Sequence, residues 1–503
     1  MNLYLFLLKN YDKKKKLIYN DKEYTYLYFI NLIEHASKYL CKLNKLKKIL
    51  IITDNPFYIS VLYFVAARCG YTLITLNKSL SKKQVLEQVN YSKPDCIIFS
   101  KKLLKINKNT SKSIVLDEEK IFNKSEIKID NFYNIKKNLD IKYKNNFLKK
   151  DYIVTFSSGT TFKPKPILFT QEIKLKRYYH IKNLYNVTKK DNTLSFSPLD
   201  HSLGQRLFFL ATLSGSNFLY FDNYNFLNLR KKIKKYNITF TILPSNYLHM
   251  LKDHLITKKI NIKKIVSAAS SLDSRDKEIL KENNIRFYEM YGASEIGTVS
   301  SLSFKSSKKY INSVGKVLKN IKIKILSEKK KFVKEKIPGQ ILCKTPLKFK
   351  EYFNNKFLTK SNYFKGYFMT GDIGYLKRDH LYFLSRKKDV IISSGINIYP
   401  SDIERELNRH PNIKESAVIG LKDIFFGEVV FAVCIVHKKK NDMQLNLNNY
   451  LLKKISTKQI PLGYSFVKKL PKSIFGKVLK KQLKNKYDEK KLDLSKKIRL
   501  ILN

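Results

Sequence analysis

Tryptophan is absent from this 503-residue chain, and glycine (16) and proline (12) fall well below the usual share, roughly 7% and 5% in average proteins. These residues need GC-rich codons, whereas the abundant lysine, asparagine, isoleucine, tyrosine and phenylalanine have AT-rich ones. Nucleotide bias across a whole genome is the simplest common cause. Acidic residues are few as well: Lys+Arg 99 against Asp+Glu 41 leaves a formal charge of +58. Such an excess normally points to nucleic acid or an anionic membrane surface. Here the basic residues are overwhelmingly lysine, and clusters such as Lys13–Lys16, Lys101–Lys105 and Lys438–Lys440 lie far apart. Codon bias scatters lysine over solvated faces, and no recognition motif accompanies the charge, so no specific nucleic-acid partner is expected.

Cysteine is sparse. Cys41, Cys69, Cys96, Cys343 and Cys434 are widely spaced and odd in number, with no metal or redox spacing. That excludes a disulfide scaffold and points to a reducing, cytoplasmic setting. The eight histidines form no clustered ligand set. Long apolar runs are missing too. Leu3–Leu8 is too short for a signal peptide and has no basic segment before it, and Ile59–Ala67 falls far short of the ~18–20 residues of a membrane span. What is present in quantity is core material: 43% hydrophobic and 13% aromatic residues exclude general disorder.

From Lys48 onward, short apolar runs alternate with helical patterns. Ile49–Thr53 and Tyr71–Leu76 read as strands around a helix at Phe57–Arg68, a βαβ unit, and Asp95–Phe99 adds a strand. A Lys/Asn-rich stretch from Lys101 to Lys150 reads as surface. Further strands are expected at Tyr152–Phe156, Thr193–Phe196, Asn217–Phe221, Ile238–Leu243, Lys264–Ala268 and Arg286–Glu289. Helices at Leu203–Leu213, Phe226–Lys235, Asn246–His254 and Asp273–Glu282 separate most of them. This alternation predicts an α/β fold with a doubly wound parallel sheet. After Ile311 the pattern changes to strands and tight turns: Ile321–Leu326, Gln340–Lys344 and a hairpin around Lys377–His380. Beyond Arg386 a compact α+β segment follows, with helices at Ser401–Arg409 and Leu447–Ile455 and strands at Ser416–Gly420 and Val429–Val436. A domain boundary is placed near Ser385–Asp389.

Four constellations carry chemistry. After the strand ending at Phe156 come Ser157, Ser158, Gly159, Thr160 and Thr161, then Lys163 and Lys165. Hydroxyls, free backbone N–H groups and ammonium groups in a tight turn suit a polyphosphate, although a plain polar loop has the same composition. Tyr291-Gly292-Ala293-Ser294-Glu295 follows a strand; its hydroxyl and carboxylate suit a phosphate oxygen and Mg²⁺, or equally the start of a helix. Thr370-Gly371-Asp372 precedes Arg386 by fourteen residues; the Asp can accept from ribose hydroxyls, or merely form a Gly-Asp turn. The last is Pro471-Lys472-Ser473-Ile474-Phe475-Gly476-Lys477. In so glycine-poor a chain, Gly159, Gly292, Gly371, Gly395 and Gly476 fall within these segments or just after Arg386, where a backbone needs positive φ or close approach.

Taken in order, these segments resemble the adenylate-forming superfamily: acyl- and aryl-CoA synthetases, luciferases and peptide-synthetase adenylation domains. Ser157–Lys165 is similar to its phosphate loop, Tyr291–Glu295 to its Tyr-Gly-x-Thr/Ser-Glu motif, and Thr370–Asp372 to its ribose-binding Thr-Gly-Asp. Arg386–Asp389 resembles the hinge, with Lys388 at the pivot. Ser394-Gly395-Ile396-Asn397-Ile398-Tyr399-Pro400 resembles the thioester-forming segment, and Pro471–Lys477 the motif with the catalytic lysine. The resemblance implies a large N-terminal domain (1–385) of doubly wound sheets plus a small distorted β-barrel, then a small mobile α+β C-terminal domain (386–503). It implies that a carboxylate attacks the α-phosphate of ATP to give acyl-AMP and pyrophosphate, and that a thiol then displaces AMP. Lys477 would bridge the carboxylate and α-phosphate, Thr160 and Thr161 hold the outer phosphates, Glu295 hold Mg²⁺, Asp372 the ribose and Arg386 the ribose or phosphate edge. Ser157, Ser158, Gly159, Lys163, Lys165, Ala269, Tyr291, Gly292, Ser294, Lys388 and Gly395 complete the nucleotide and thiol contacts, the small domain reorienting between steps.

Pro198-Leu199-Asp200-His201-Ser202-Leu203-Gly204 resembles the Pro-x-x-His-x-x-Gly element of CoA ligases, which puts His201 beside the acyl-adenylate; Asp200 is the alternative, in the register of amino-acid-activating domains. The expected function is an AMP-forming acyl-CoA ligase using ATP, Mg²⁺ and CoA. The alternatives are an enzyme loading the phosphopantetheine of a separate acyl carrier protein, or a degenerate non-catalytic member. The sequence departs from the family at Phe162 and Pro166, where glycines are usual in the phosphate loop, at Ser267-Ala268-Ala269-Ser270, and at Ser385. The acid pocket is expected among Leu243–Tyr247, the segment around Ala269, and Ile296–Gly297.

Overall fold

The computed structural model describes residues 1–43, 46–101, 113–122, 147–156, 165–221, 226–244, 247–248, 251, 262–268, 272, 274–310, 312–438, 441–473 and 477–488. The chain divides into two compact units, Met1–Ser307 with Thr345–Tyr363, and Lys308–Lys344 with Phe364–Asn503.

The first unit holds two sheets. One contains β1 (Lys16–Tyr19), β2 (Lys22–Thr25), β9 (Asn192–Ser195), β10 (Phe218–Tyr220), β11 (Ile238–Pro244), β12 (Lys264–Ala268), β13 (Arg286–Ala293) and β14 (Gly297–Ser303). Its order is β14-β13-β12-β11-β9-β10-β1-β2, parallel throughout except for the antiparallel edges β14 and β2. The other contains β3 (Lys48–Ile52), β4 (Thr72–Thr75), β5 (Cys96–Phe99), β6 (Ile114–Asp117), β7 (Asp151–Phe156) and β8 (Pro166–Thr170), with the short strand Glu351–Tyr352. Its order is Glu351–Tyr352, β8, β7, β4, β3, β5, β6, with β8 antiparallel to β7.

Strand periodicity explains how helices cover both faces. Leu17, Ile49, Ile51, Leu73, Ile153, Phe218 and Ile242 share one core with the helices Leu3–Asn10, Tyr26–Cys41, Pro56–Cys69 and Ser202–Ser214. Their neighbours Ile18, Leu219, Leu243 and Ile265 point the other way, into a core with the helices Phe226–Lys235 and Ser274–Glu282. In the same manner Leu50, Ile52, Ile74 and Val154 meet Val85 and Val89 of the helix Lys82–Ser92. Strands covered on both sides read as continuous apolar runs, as Ile238–Pro244, buried at every position, does.

Most expected strands lie within a residue or two of the observed ones, and Lys264–Ala268 and Phe226–Lys235 coincide. The double winding is spread over two sheets rather than one, and their antiparallel strands, β2, β8 and β14, carry no pattern that set them apart in the sequence. Most of Lys101–Lys150 and of Asn246–His254 lies outside the described residues. Pro166, read as part of a phosphate loop, instead opens β8 opposite Phe156; a proline fits at a first strand residue, where no ladder donor is needed.

In the second unit, strands Lys316–Val317, Lys322–Leu326, Gly339–Lys344, Tyr367–Lys377 and His380–Arg386 form an antiparallel sheet. A single 3₁₀ turn, Lys387–Asp389, leads from its last strand into a second sheet of Ile391–Ser393, Ile396–Ile398, Ile413–Asp423, Gly427–Val436 and Gly463–Phe466. Val418 packs on one side of that sheet with Ile403, Leu407 and Leu447, whereas Ala417 and Ile419 face Leu483 and Tyr487 on the other.

The centre of the first unit's core is aromatic. The Phe208 ring contacts those of Phe29, Tyr63, Phe64, Phe209 and Phe218, with centroids 5.5–6.4 Å apart. Phe208→Ala should therefore destabilise this unit by about 3–5 kcal/mol, read as a lowered urea midpoint of its circular dichroism.

Candidate active site

The Tyr-Gly-Ala-Ser-Glu segment lies at the end of β13 and in the hairpin turn to β14, not at a helix start. The hairpin is tight: a Cβ at Gly292 would lie 2.0 Å from the Gly297 carbonyl oxygen, so only glycine fits. Segment 345–353 fixes the turn. The Phe349 N–H donates to the Glu295 carbonyl (2.6 Å), and the Tyr352 hydroxyl donates to Glu295 Oε1 (3.0 Å). Burial, reinforced by the Glu295 charge, pushes the Tyr352 phenol well above its ordinary pKa, so it stays a donor. Lys165 Nζ stands 5.1 Å from the centre of the Tyr352 ring, a cation–π distance. Tyr352 thus joins the last residue of one motif to the carboxylate of another. Nothing in the sequence singles it out among 33 tyrosines.

The Pro198–Gly204 element has an equally local cause. The helix Ser202–Ser214 starts so close to the preceding turn that a Cβ at Gly204 would lie 2.1 Å from the Pro198 carbonyl oxygen. His201 caps this helix, its Nδ1 accepting from the Leu203 N–H (3.4 Å). Asp200 accepts from Asn77 Nδ2 (2.8 Å). One turn into the helix, Gln205 Nε2 donates to Thr155 Oγ1 (2.9 Å), next to the end of β7. His201 and the base of the Ser157–Lys165 segment are therefore held by one helix.

In the second unit, the fourteen-residue spacing between Asp372 and Arg386 is a hairpin register: the two are paired across adjacent strands. Arg386 Nε forms an ion pair with Asp372 Oδ1 (2.9 Å), the aspartate almost fully buried and the arginine half exposed. Thr370 Oγ1 accepts from the Asp372 N–H (3.1 Å) and donates to the Ile341 carbonyl (2.8 Å), fixing the turn. Lys388 is exposed in the 3₁₀ turn between the two sheets. Ser394 (φ 49°) and Gly395 (φ 77°) form the two-residue turn between Ile391–Ser393 and Ile396–Ile398. Two consecutive left-handed residues are what such a hairpin requires. Lys477 is half-buried; its carbonyl accepts from the Ser473 N–H (2.8 Å) and its N–H donates to Ser473 Oγ (3.3 Å).

Ser157, Ser158, Gly159, Thr160, Thr161, Phe162, Lys163, Ala269, Ser270 and Gly476 lie outside the described residues, as do positions 245–246 of the expected acid pocket. No group of three or more His, Cys, Asp or Glu that could hold a metal occurs among the described residues. Glu295, a single carboxylate on a turn, fits Mg²⁺, which takes one or two protein carboxylates and completes its shell with water and substrate phosphates. No described helix is long and apolar enough to cross a membrane.

The AMP-binding enzyme profile matches residues 8–353, and the AMP-binding enzyme C-terminal domain profile matches 402–477. A 2-succinylbenzoate–CoA ligase of Listeria monocytogenes is 25% identical over 488 residues, 95% of this chain and 97% of that one. That of Bacillus subtilis is 28% identical over 336 residues, 66% and 68% of the two chains. Among solved structures, the o-succinylbenzoate CoA synthetase of Bacillus subtilis in complex with the acyl-adenylate intermediate OSB-AMP superposes with a TM-score of 0.83 at 23% identity, covering 96% and 98% of the chains. The amide bond synthetase of Marinactinospora thermotolerans gives 0.85 at 16%, covering 96% and 99%. With both profiles matched in order across most of its length, the chain belongs to the AMP-binding enzyme family.

Proposed function

We propose that the acid activated by this AMP-forming acid–thiol ligase is 2-succinylbenzoate or a close aromatic keto acid, and that CoA is the acceptor. The observation that carries this reading is a 2-succinylbenzoate–CoA ligase alignable over 97% of its length, with Lys477 as the last residue of the C-terminal profile match. In the first step a carboxylate oxygen bonds to the α-phosphorus of ATP and the bond to pyrophosphate breaks. In the second, the thiol sulfur bonds to the acyl carbon, AMP leaves with the electron pair, and the thiol proton goes to solvent.

Phosphoryl transfer is mostly positioning and charge stabilisation. Lys477 is assigned to the negative charge that builds at the α-phosphate. Glu295, oriented by Tyr352, is the carboxylate for Mg²⁺, which when bound neutralises the outer phosphates. Asp372, held by Arg386 across the strand pair, accepts from the ribose. Thr160, Thr161 and their neighbours Ser157–Lys163 are assigned to the phosphates, Lys165 and Tyr291 to the same end of the nucleotide, and His201 to the acyl group. The Gly395 hairpin and the junction at Lys388 are assigned to the thioester step, with 386–503 as the small domain that reorients between steps on the large domain 1–385. Sparse, unpaired cysteine usage supports a reducing cytoplasm as the setting.

Exchange of labelled pyrophosphate into ATP, driven by 2-succinylbenzoate, tests the first step; no exchange across a wide acid panel sinks the reading. Supplying CoA or a carrier protein decides the acceptor, and thioester formed only on the carrier would replace CoA. Lys477→Ala should lower exchange by about 10²–10³-fold, while ATP affinity measured by calorimetry changes little. Asp372→Asn should do the opposite, weakening ATP binding about 10- to 100-fold through the loss of charged hydrogen bonds, with a smaller effect on the maximal exchange rate.

A further inference from the structure

Three cations that the proposed chemistry does not use meet inside the first unit. Lys174 and Arg177, on the helix Gln171–Leu184, are 6% and 7% exposed, and Arg206 reaches the same place from the helix Ser202–Ser214. With Ser202 and Phe209 they line a small cavity. Their hydrogen bonds among the described residues all go to neutral acceptors. Lys174 Nζ donates to Gln205 Oε1 (2.6 Å), and Arg177 donates from Nε to the Leu347 carbonyl (2.9 Å) and from Nη2 to the Glu295 carbonyl (3.2 Å). Arg206 Nη1 donates to Thr298 Oγ1 (3.1 Å) and lies 3.7 Å from Met290 Sδ. The Phe169 ring faces two of them, 3.9 Å from Lys174 Nζ and 4.6 Å from the Arg177 guanidinium carbon.

Such an arrangement is costly without an anion, because a buried charge needs a counter-charge as well as hydrogen bonds. Burial and mutual repulsion hold the Lys174 ammonium well below its usual range. Burial brings Arg206 down to about 10, opposed by Tyr185. A carboxylate entering the cavity would relieve all three.

We propose that Lys174, Arg177 and Arg206 seat the second carboxylate of the acid substrate, the one that is not adenylated. This rests on the substrate reading above: 2-succinylbenzoate carries two carboxylates, on its ring and at the end of its acyl chain. The planar guanidinium groups match a carboxylate, the Ser202 hydroxyl can add a donor, and the ring of Phe209 suits an aromatic body. The cavity also adjoins His201, since Ser202 is the first residue of the helix that His201 caps.

Pyrophosphate exchange is measured with 2-succinylbenzoate and with two analogues each lacking one carboxylate, 4-oxo-4-phenylbutanoate and 2-propanoylbenzoate. The wild type should prefer the diacid by at least about tenfold in kcat/KM. Arg206→Gln should cut the diacid's kcat/KM about 10- to 100-fold and collapse the diacid-to-monoacid ratio, a change that general loosening of the fold would not produce. A monoacid as good as the diacid overturns the inference and leaves the ligase reading standing. So does an Arg206→Gln enzyme whose KM rises for ATP while the diacid preference persists, since the cations would then serve a phosphate. Exchange with none of the three acids removes the substrate reading and this inference together. If Arg206→Gln does not fold, the wild-type preference and Lys174→Gln decide the matter by the same ratios.

Discussion

The first unit depends on burying the helix Ser202–Ser214, in which every residue except Arg206 is buried. Its apolar side chains tie it to strands of both sheets through a shared core, so its position is over-determined. Dense packing leaves little freedom to shift. The polar groups it carries inherit that precision: His201 as its cap, Gln205 bonded to Thr155, and Arg206 bonded to Thr298. Gly204 shows how close the packing is, because even a methyl group would collide with the Pro198 carbonyl. A site built on such an element keeps its geometry without a ligand.

The two units handle charge differently. In the second, the Asp372 carboxylate is buried but has an arginine across the strand pair, so the charge is compensated within the fold. In the first, Lys174, Arg177 and Arg206 crowd together with neutral partners. Low-dielectric surroundings strengthen both the repulsion among them and their attraction for an incoming anion. Glu295 lies between these extremes, a half-buried carboxylate steadied by one phenol and so available to a hard cation.

Much of the architecture was legible because it depends on local patterns. The runs Ile49–Thr53, Ile238–Leu243 and Lys264–Ala268 are apolar enough to be buried on both faces, and the helices between them carry the matching stripe. The order of the motifs was legible too, since short segments such as Thr370–Asp372 and Tyr291–Glu295 keep their residue types wherever the chain carries them. The antiparallel strands were less so. β8 and β14 return antiparallel to their neighbours, and their sequences resemble those of central strands. Ser294 and Glu295, which suit a helix start equally well, form a hairpin turn because Gly292 and Gly297 let two backbones approach closely.

The sequence alone determined an alternating α/β chain followed by a strand-rich region and a compact α+β segment, together with a set of motifs that resemble those of the AMP-binding family in a characteristic order. Periodicity and residue chemistry are properties of neighbours along the chain, so they can be read without a fold. Only the tertiary structure decided that Tyr352 bridges Lys165 and Glu295, that Asp372 and Arg386 face each other in register, and that three cations from two helices share a cavity. A periodic pattern says which face of an element is buried but not which other face it meets, and those meetings set the electrostatics of the site.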